Sequence, residues 1–381
     1  MPRAEAKSVI DRASCTLLVG AETFCEQALA DMRGARSRLY VQAMTFESDV
    51  AGSRVGAGIL QSQASNRRVL VDDYTRWVIN DRLVYAPHNL LDHALQAEAR
   101  QTRKMFHAMC GSGVGVRVTN PIGLMLRGLP FRNHKKLIVA DDVAYVGGVN
   151  FSDHNFAWHD LMLRIEGAEP ADRLAADFEA SWDGRGQSWR QDFGGLELLG
   201  LDGRDNASAF RELIAKIEAA RREIWIVSPY LTFPFVGALE RAAARGVQVR
   251  LITPLANNKR TVRDYLLWAA RRAGFEVSLI PDMIHLKGML IDHATLTVGS
   301  SNFDFVSFRA EEELLAVSSD PALIEQFRQQ VIAPLLERSV PLSAHRPGLL
   351  AGPRSLALLK AADLLIQALP YGRRSARDWP D

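Results

Sequence analysis

Residues 285–302 read HLKGMLIDHATLTVGSSN. Along an extended strand, residues two apart share a face. His285 and Lys287 therefore point the same way, into one site. The apolar run from Gly288 to Ile291 reads as a buried strand that Asp292 closes. The small-residue turn Gly299-Ser300-Ser301-Asn302 can bring Asn302 back toward the start of the stretch. One His-x-Lys pair is weak evidence, because such pairs are commonly surface chemistry.

The pattern occurs twice. Residues 134–150 read HKKLIVADDVAYVGGVN, with His134 and Lys136 at the same spacing, an apolar run from Leu137 to Ala140, Asp141 at its end, and a turn Gly147-Gly148-Val149-Asn150. This copy has one residue fewer between Asp and turn, and Gly148 stands where Ser300 stands. The repetition extends outward. Phe210, Leu213, Ile214 and Ile217 recur at helical spacing and lead into the strand Ile224-Trp225-Ile226-Val227. A helix near 22–34 leads likewise into Leu39-Tyr40-Val41. A helix over 235–245 and a strand over 247–252 have counterparts in a helix near 55–66 and a strand over 68–71. Strands alternating with helices imply parallel βαβ units, with each motif strand near the centre of its layer. Residues 73–133 are about twice as long as 254–284, which predicts a mostly helical insertion in the first half. The chain thus divides into an N-terminal half, 1–195, a C-terminal half, 196–345, and a tail, 346–381.

Composition is ordinary for a folded soluble protein with a core and argues against a nucleic-acid coat. Of 381 residues, 48% are hydrophobic and 24% charged, and 46 basic groups against 44 acidic ones leave a net charge of +2. The three cysteines, Cys15, Cys25 and Cys110, have no metal spacing and read as reduced thiols of a cytosolic protein. MPRAEAKSVIDRASC has no apolar h-region, and no run of about 20 uncharged apolar residues occurs, so neither a secretory signal nor a membrane span is expected.

Two halves related by a pseudo-twofold axis would bring together two imidazoles, two ammonium groups and two carboxamides. Such a set suits a multi-oxygen anion, and a phosphodiester fits. Two histidines on opposite sides supply a nucleophile and a proton donor for in-line displacement, with their pKa values split. A carboxylate on the far nitrogen of each ring would orient it. The candidates are Asp160 in AWHDLMLRIEG and Glu313 in FRAEEELLAV, where alternation turns one of Glu311, Glu312 and Glu313 inward. From Lys to Asp along either motif is about 16 Å of strand, so Asp141 and Asp292 are expected to brace the fold. His88 and His93 lack ligand spacing, and His107, His154, His159, His293 and His345 stay unassigned. No metal and no cofactor are expected.

HxKxxxxD followed by a G-[GS]-x-N turn, present twice, resembles the phospholipase D superfamily. The flanks are similar to its bacterial cardiolipin synthase-like branch: PFRNHKKLIVADDVAYVGGVN, WHDLMLRIEG with Phe178 and Trp182, VSPYLTFPFVGALERAAARGVQVRLITP, AARRAGFEVSLIPDMIHLKGMLID and GSSNFDFVSFRAEEE. The likeness implies an α/β, duplicated phospholipase D-like fold, two βα-repeat halves with mixed or parallel sheets packed about a pseudo-twofold axis in a monomer. It implies a phosphatidyltransferase with a covalent phosphohistidine, His134 as nucleophile and His285 as general acid. Lys136, Lys287, Asn150 and Asn302 would hold the phosphate. Asp141 and Asp292 count with the motif's catalytic set, as do Asp160 and Glu313 beside the rings, while Gly148, Ser300 and Tyr230 would touch substrate. The implied substrate is a phosphatidylglycerol-like phospholipid. Asn is common in the family where Glu311 stands, which bears on the choice of acceptor.

The same chemistry serves hydrolases and nucleases. Here two Pro-bounded apolar loops flank the motifs, 120–131 and Pro229-Tyr230-Leu231-Thr232-Phe233-Pro234-Phe235, where a nuclease rim would interleave Lys and Arg with aromatics. Such loops could meet acyl chains or fill the core. They favour lipid over nucleic acid as partner. In the tail, Leu356, Leu359, Leu365, Ile366 and Leu369 form a broad apolar face, Lys360, Asp363 and Gln367 mark a polar side, and Arg373, Arg374 and Arg377 follow. A helix of this kind either lies on an anionic membrane or packs onto the second half. The expected location is cytoplasmic, peripheral on the inner face of the cell membrane.

Overall fold

Leu137–Ala140 and Gly288–Ile291 are buried at every position. A strand with both faces buried must lie inside a sheet that is itself covered on both sides. The computed structural model, which describes residues 13–123, 125–204, 206–345, 348–370 and 375–380, places them so. Among the described residues the first half forms an eight-stranded sheet. Its order is Ser14–Val19, Leu161–Glu166, Val143–Gly147, Leu137–Ala140, Arg38–Ala43, Asn66–Asp72, Gly115–Thr119, Ala376–Asp378. The nine-stranded second sheet repeats this order: Leu196–Asp202, Glu312–Ser318, Thr295–Gly299, Gly288–Ile291, Glu223–Val227, Gln248–Pro254, Glu276–Ile280, Val340–Pro341, with Trp189–Asp192 added outside Leu196–Asp202.

Parallel pairing is confined to one side of each sheet, as between Arg38–Ala43 and Asn66–Asp72. The motif strand runs antiparallel to its neighbours on both sides. The reason is local. After the first motif strand, Ala140 pairs with Val143, so Asp141 and Asp142 alone make the hairpin turn. After the second, Ile291 pairs with Thr295, and the turn holds Asp292, His293 and Ala294. The one-residue difference between the copies sits in this turn. Asp141, Asp292 and His293 have φ of 50°, 52° and 57°, the left-handed region that Asp tolerates better than most side chains.

The sheets pack face to face over a core drawn from both halves, including Leu137, Val139 and Leu163 against Leu290, Leu296 and Leu314. Truncating one such leucine to Ala costs roughly 2–5 kcal/mol. Helices Ala21–Gly34, Val50–Gln61 and His93–Gly111 cover the outer face of the first sheet, and Asn206–Ala219, Phe235–Ala244 and Arg260–Ala273 that of the second.

Two expectations need correction. Residues 73–133 are not a mostly helical insertion. Helix His93–Gly111 and strand Gly115–Thr119 are the counterparts of Arg260–Ala273 and Glu276–Ile280. The added material is a short hairpin, Val78–Ile79 with Arg82–Leu83, and the loop before His134. The boundary at 195 also falls late, since Trp189–Asp192 already pairs with the second sheet. Of the two placements left open for the tail helix, the structure shows packing onto the second half. Helix Ala351–Ala368 packs on the second half, while Ala376–Asp378 adds an edge strand to the first, with Trp379 buried 4.4 Å from the Phe106 ring. Arg377 lies on that edge strand, 3.8 Å from Asp73, and Arg373 and Arg374 lie outside the described residues.

Candidate active site

The polar residues just before each motif strand meet at the seam between the halves. The backbone crosses that seam twice, with the same geometry. His134 N–H donates to the Glu312 carbonyl at 2.9 Å, and His285 N–H donates to the His159 carbonyl at 2.7 Å. The next side chain in each acceptor strand then faces an imidazole. Glu313 Oε1 and Oε2 lie 3.0 and 3.1 Å from His134 Nδ1, and Asp160 Oδ2 lies 2.7 Å from His285 Nδ1. Each ring therefore takes its carboxylate from the opposite half. Both rings are 6% exposed. With Nδ1 committed to a carboxylate, Nε2 is left for chemistry.

Strand alternation sorts the lysines. Lys136 Nζ donates to the His134 carbonyl at 2.7 Å, and Lys287 Nζ donates to the His285 carbonyl and lies 2.8 Å from His285 Nδ1. Lys135, one residue along, faces away and pairs with both carboxylate oxygens of Asp177 at 2.8 Å.

Electrostatics separate the two sides through their carboxylates. Burial, then Lys136, pushes His134 well below its usual value. Burial, then Lys287, takes His285 down to about 3. Both rings are thus pushed toward the neutral form, because both are buried beside lysines. Burial also lowers Lys136 to about 8 and Lys287 to about 7. Burial raises Glu313 to about 7, against the pull of Lys136 and the hydroxyls of Ser300 and Ser307. Burial works to raise Asp160 as well, but Lys287 and His285 overcome it and keep this carboxyl below its ordinary value.

The Gly148/Ser300 difference follows from these carboxylates. Ser300 donates its hydroxyl to Glu313 Oε2. At Gly148 an added Cβ would lie 2.2 Å from Asp160 Oδ1. The shorter Asp sits closer to its backbone and occupies the space that Ser300 fills in the other half. Gly148 and Ser300 thus position carboxylates. Asp141 and Asp292 brace the fold, as their distance along the strand from the lysines led one to expect. Asp141 accepts from the amides of Arg36, Ser37 and Arg38, and Asp292 from those of Arg221, Arg222 and Glu223, at the far end of their strands. They brace turns and do not reach the rings.

Asn150 and Asn302 are 6% and 4% exposed. Asn150 Oδ1 accepts from Thr45 N–H at 3.3 Å. Tyr230 is buried, its hydroxyl donates to Asn258 Oδ1, and its ring stands edge-on to His285 with centroids 6.2 Å apart. Trp158, which the sequence did not single out, lies 5.3 Å from the same ring. Ser307 was missed as well; its hydroxyl lies 2.8 Å from Glu313 Oε1 and 3.0 Å from Glu311 Oε2. The spacing of four from Ser307 to Glu311 was the available signal. Lys259, with Nζ 4.1 Å from the Tyr230 ring centroid, follows the parallel strand Gln248–Pro254. Chain just beyond such a strand is where α/β sheets hold ligands. Among the described residues, His134, Glu311 and Glu313 offer atoms close enough to share a metal ion. Glu313 is already engaged by His134, Ser300 and Ser307, so the group reads as a proton-sharing cluster.

Comparison with known proteins agrees with this geometry. The family model described as "Cardiolipin synthase, PLD-like domain" matches residues 29–182 and 213–333. Cardiolipin synthase 1 of Bacillus cereus is 23% identical over 355 residues, covering 84% of this chain and 66% of that protein. Cardiolipin synthase A of Pseudomonas aeruginosa is 28% identical over 335 residues, covering 80% and 63%. The chain therefore spans a little under two thirds of the length of these curated relatives. Phosphatidylserine synthase of Haemophilus influenzae has the same fold, with a TM-score of 0.70 at 14% identity over 96% of this chain and 98% of that one. The chain belongs to the cardiolipin synthase, PLD-like domain family of the phospholipase D superfamily.

Proposed function

We propose that the protein transfers a phosphatidyl group between phospholipid headgroups, at the inner surface of the cell membrane, through a covalent phosphohistidine. The observation that carries this reading is the exchanged pair of carboxylates. Asp160, kept ionised by Lys287 and His285, suits a ring that must carry a proton. Glu313, raised by burial to about 7, orients its ring without charging it. These environments favour His134 as nucleophile and His285 as acid and base.

His134 Nε2 attacks phosphorus and the bond to the leaving alcohol breaks. The departing oxygen takes its proton from His285. The acceptor alcohol then gives its proton to His285 and attacks phosphorus, the N–P bond breaks, and His134 is freed. A phosphodiester's negative charge between Lys136 and Lys287 offsets their field and raises the imidazole that must donate. The lysines balance charge developing on the phosphoryl oxygens.

Lipid is favoured over nucleic acid by the loop ahead of His134. Its Met125, Leu126 and Leu129 are 64%, 37% and 39% exposed, where a nuclease would place cations and stacking rings. The matching loop of the second half fills the core instead, with Tyr230, Leu231 and Phe235 buried. Phosphatidylglycerol vesicles incubated with the protein and read by mass spectrometry test the proposal. Cardiolipin with released glycerol is the expected product. Phosphatidic acid alone would mean hydrolysis, and unchanged lipid alongside cleaved single-stranded DNA would overturn the lipid reading.

A further inference from the structure

The helix Ala351–Ala368 packs on the second half through a face that includes Leu356, Leu359 and Ile366. Its buried residues, Gly352, Ser355, Leu359 and Asp363, share one face. Asp363 Oδ1 accepts from Arg309 Nε at 3.0 Å, and a Cβ at residue 352 would lie 2.1 Å from the Trp268 ring. The sequence assigned Asp363 to the solvent side. It instead joins the inner face beside Leu356, Leu359 and Ile366, and a second set of leucines is left facing outward. Leu358, Leu364 and Leu365 are 53%, 66% and 62% exposed, and Leu349 and Leu350, just ahead of the helix, are 96% and 77% exposed. The helix's outward charges are Arg354 and Lys360, both basic, because its one carboxylate faces inward.

The helix also leads to the active site. It starts against Trp268, and Lys360 Nζ lies 3.6 Å from the ring centroid of Phe233, in the loop that carries Tyr230. Tyr230 in turn meets His285. Among the described residues no helix is long and apolar enough to cross a membrane, so an apolar face of this kind would lie along an interface.

We propose that the outward face of this helix is the docking surface for an anionic phospholipid bilayer, seating the leucines at the headgroup boundary and turning the catalytic mouth toward the lipid. This rests on the lipid reading of the site. Charge selects the occupant. A second copy of the chain, paired face to face by a twofold axis, would set Arg354 and Lys360 against bases with no outward carboxylate on the helix to answer them. An anionic bilayer answers both bases and accepts the leucines.

The test is flotation of the full chain with vesicles of equal parts phosphatidylglycerol and phosphatidylcholine, and with phosphatidylcholine alone. The parent is expected to float with the anionic vesicles. Leu358→Glu with Leu365→Glu should lower partitioning by about tenfold or more. Arg354→Gln with Lys360→Gln should lower it on anionic vesicles only. All variants should keep parental turnover of a short-chain phosphatidylglycerol dispersed as monomers, which shows that they fold. Flotation unchanged by the leucine substitutions would overturn the proposal, as would a parental dimer in sedimentation that those substitutions dissolve. A parent that converts the short-chain lipid but never floats sinks the docking surface and leaves the chemistry standing. A parent that floats through these leucines but converts no lipid sinks the chemistry and leaves the surface standing.

Discussion

Gly148→Ala should cripple proton transfer at His285 without touching a catalytic residue. A Cβ at this position would lie 2.2 Å from Asp160 Oδ1, 2.7 Å from Oδ2 and 2.8 Å from Cγ. The carboxylate must retreat by about 1 Å to reach ordinary contact, and a hydrogen bond of 2.7 Å stretched by that much is lost. A hydrogen bond to a charged group contributes about 1.5–3 kcal/mol. At about 1.4 kcal/mol per tenfold, kcat should fall about 10- to 150-fold. His285 acts in both half-reactions, so kcat and kcat/KM should fall together. Steady-state conversion of phosphatidylglycerol, followed by mass spectrometry, measures this. Gly148→Ser combined with Asp160→Glu rebuilds the Ser300–Glu313 arrangement in the other half and should recover about tenfold over Gly148→Ala. If Gly148→Ala keeps kcat within about twofold of the parent, Asp160 does not hold the ring in the way argued here.

The remaining predictions concern stability and pH. Asp141→Ala and Asp292→Ala each leave three turn amides without their acceptor, which should cost about 1–2 kcal/mol in denaturant unfolding, while kcat stays near parental. Both carboxyls are held below their ordinary values by those amides against burial, so their contribution is present above the unfolded pKa and is lost as pH falls through the lower folded one. Lys135→Met should destabilise by about 3–5 kcal/mol by leaving the buried Asp177 carboxylate without its ammonium partner, and replacing Asp177 by Asn as well, which keeps an acceptor for Trp189 Nε1, should recover part of the loss in the same unfolding assay. For His285, lowered to about 3, the unfolded chain binds a proton that the folded chain refuses between pH 6.5 and about 3. His285→Gln should therefore gain on the parent by about 1.4 kcal/mol per pH unit as pH falls through that window, read from unfolding free energies at each pH.

Much of this architecture was legible because strand alternation is strict. It placed His285 with Lys287 and His134 with Lys136, but it left open which of Glu311, Glu312 and Glu313 meets a ring, and the structure buries all three. The duplication was legible because helices and strands recur in one order. That Asp141 and Asp292 brace the fold was legible too; the positive φ of their turns and the amides they bind were not. Asp363 of the tail helix was misread for another reason. Periodicity reports where charges lie around a helix, not which side finds a partner, and Arg309 drew Asp363 inward. Equally hidden was the exchange of carboxylates between halves, a tertiary crossing fixed by the amides of His134 and His285.

The central claim is that His134 is the covalent nucleophile and His285 its proton partner. Stopping phosphatidylglycerol turnover with alkali, digesting the protein and locating acid-labile phosphate by mass spectrometry tests it directly. An adduct on His134 in the parent, absent from His134→Asn, is the predicted result. Undiminished turnover by His134→Asn, or an adduct on His285 alone, would contradict it.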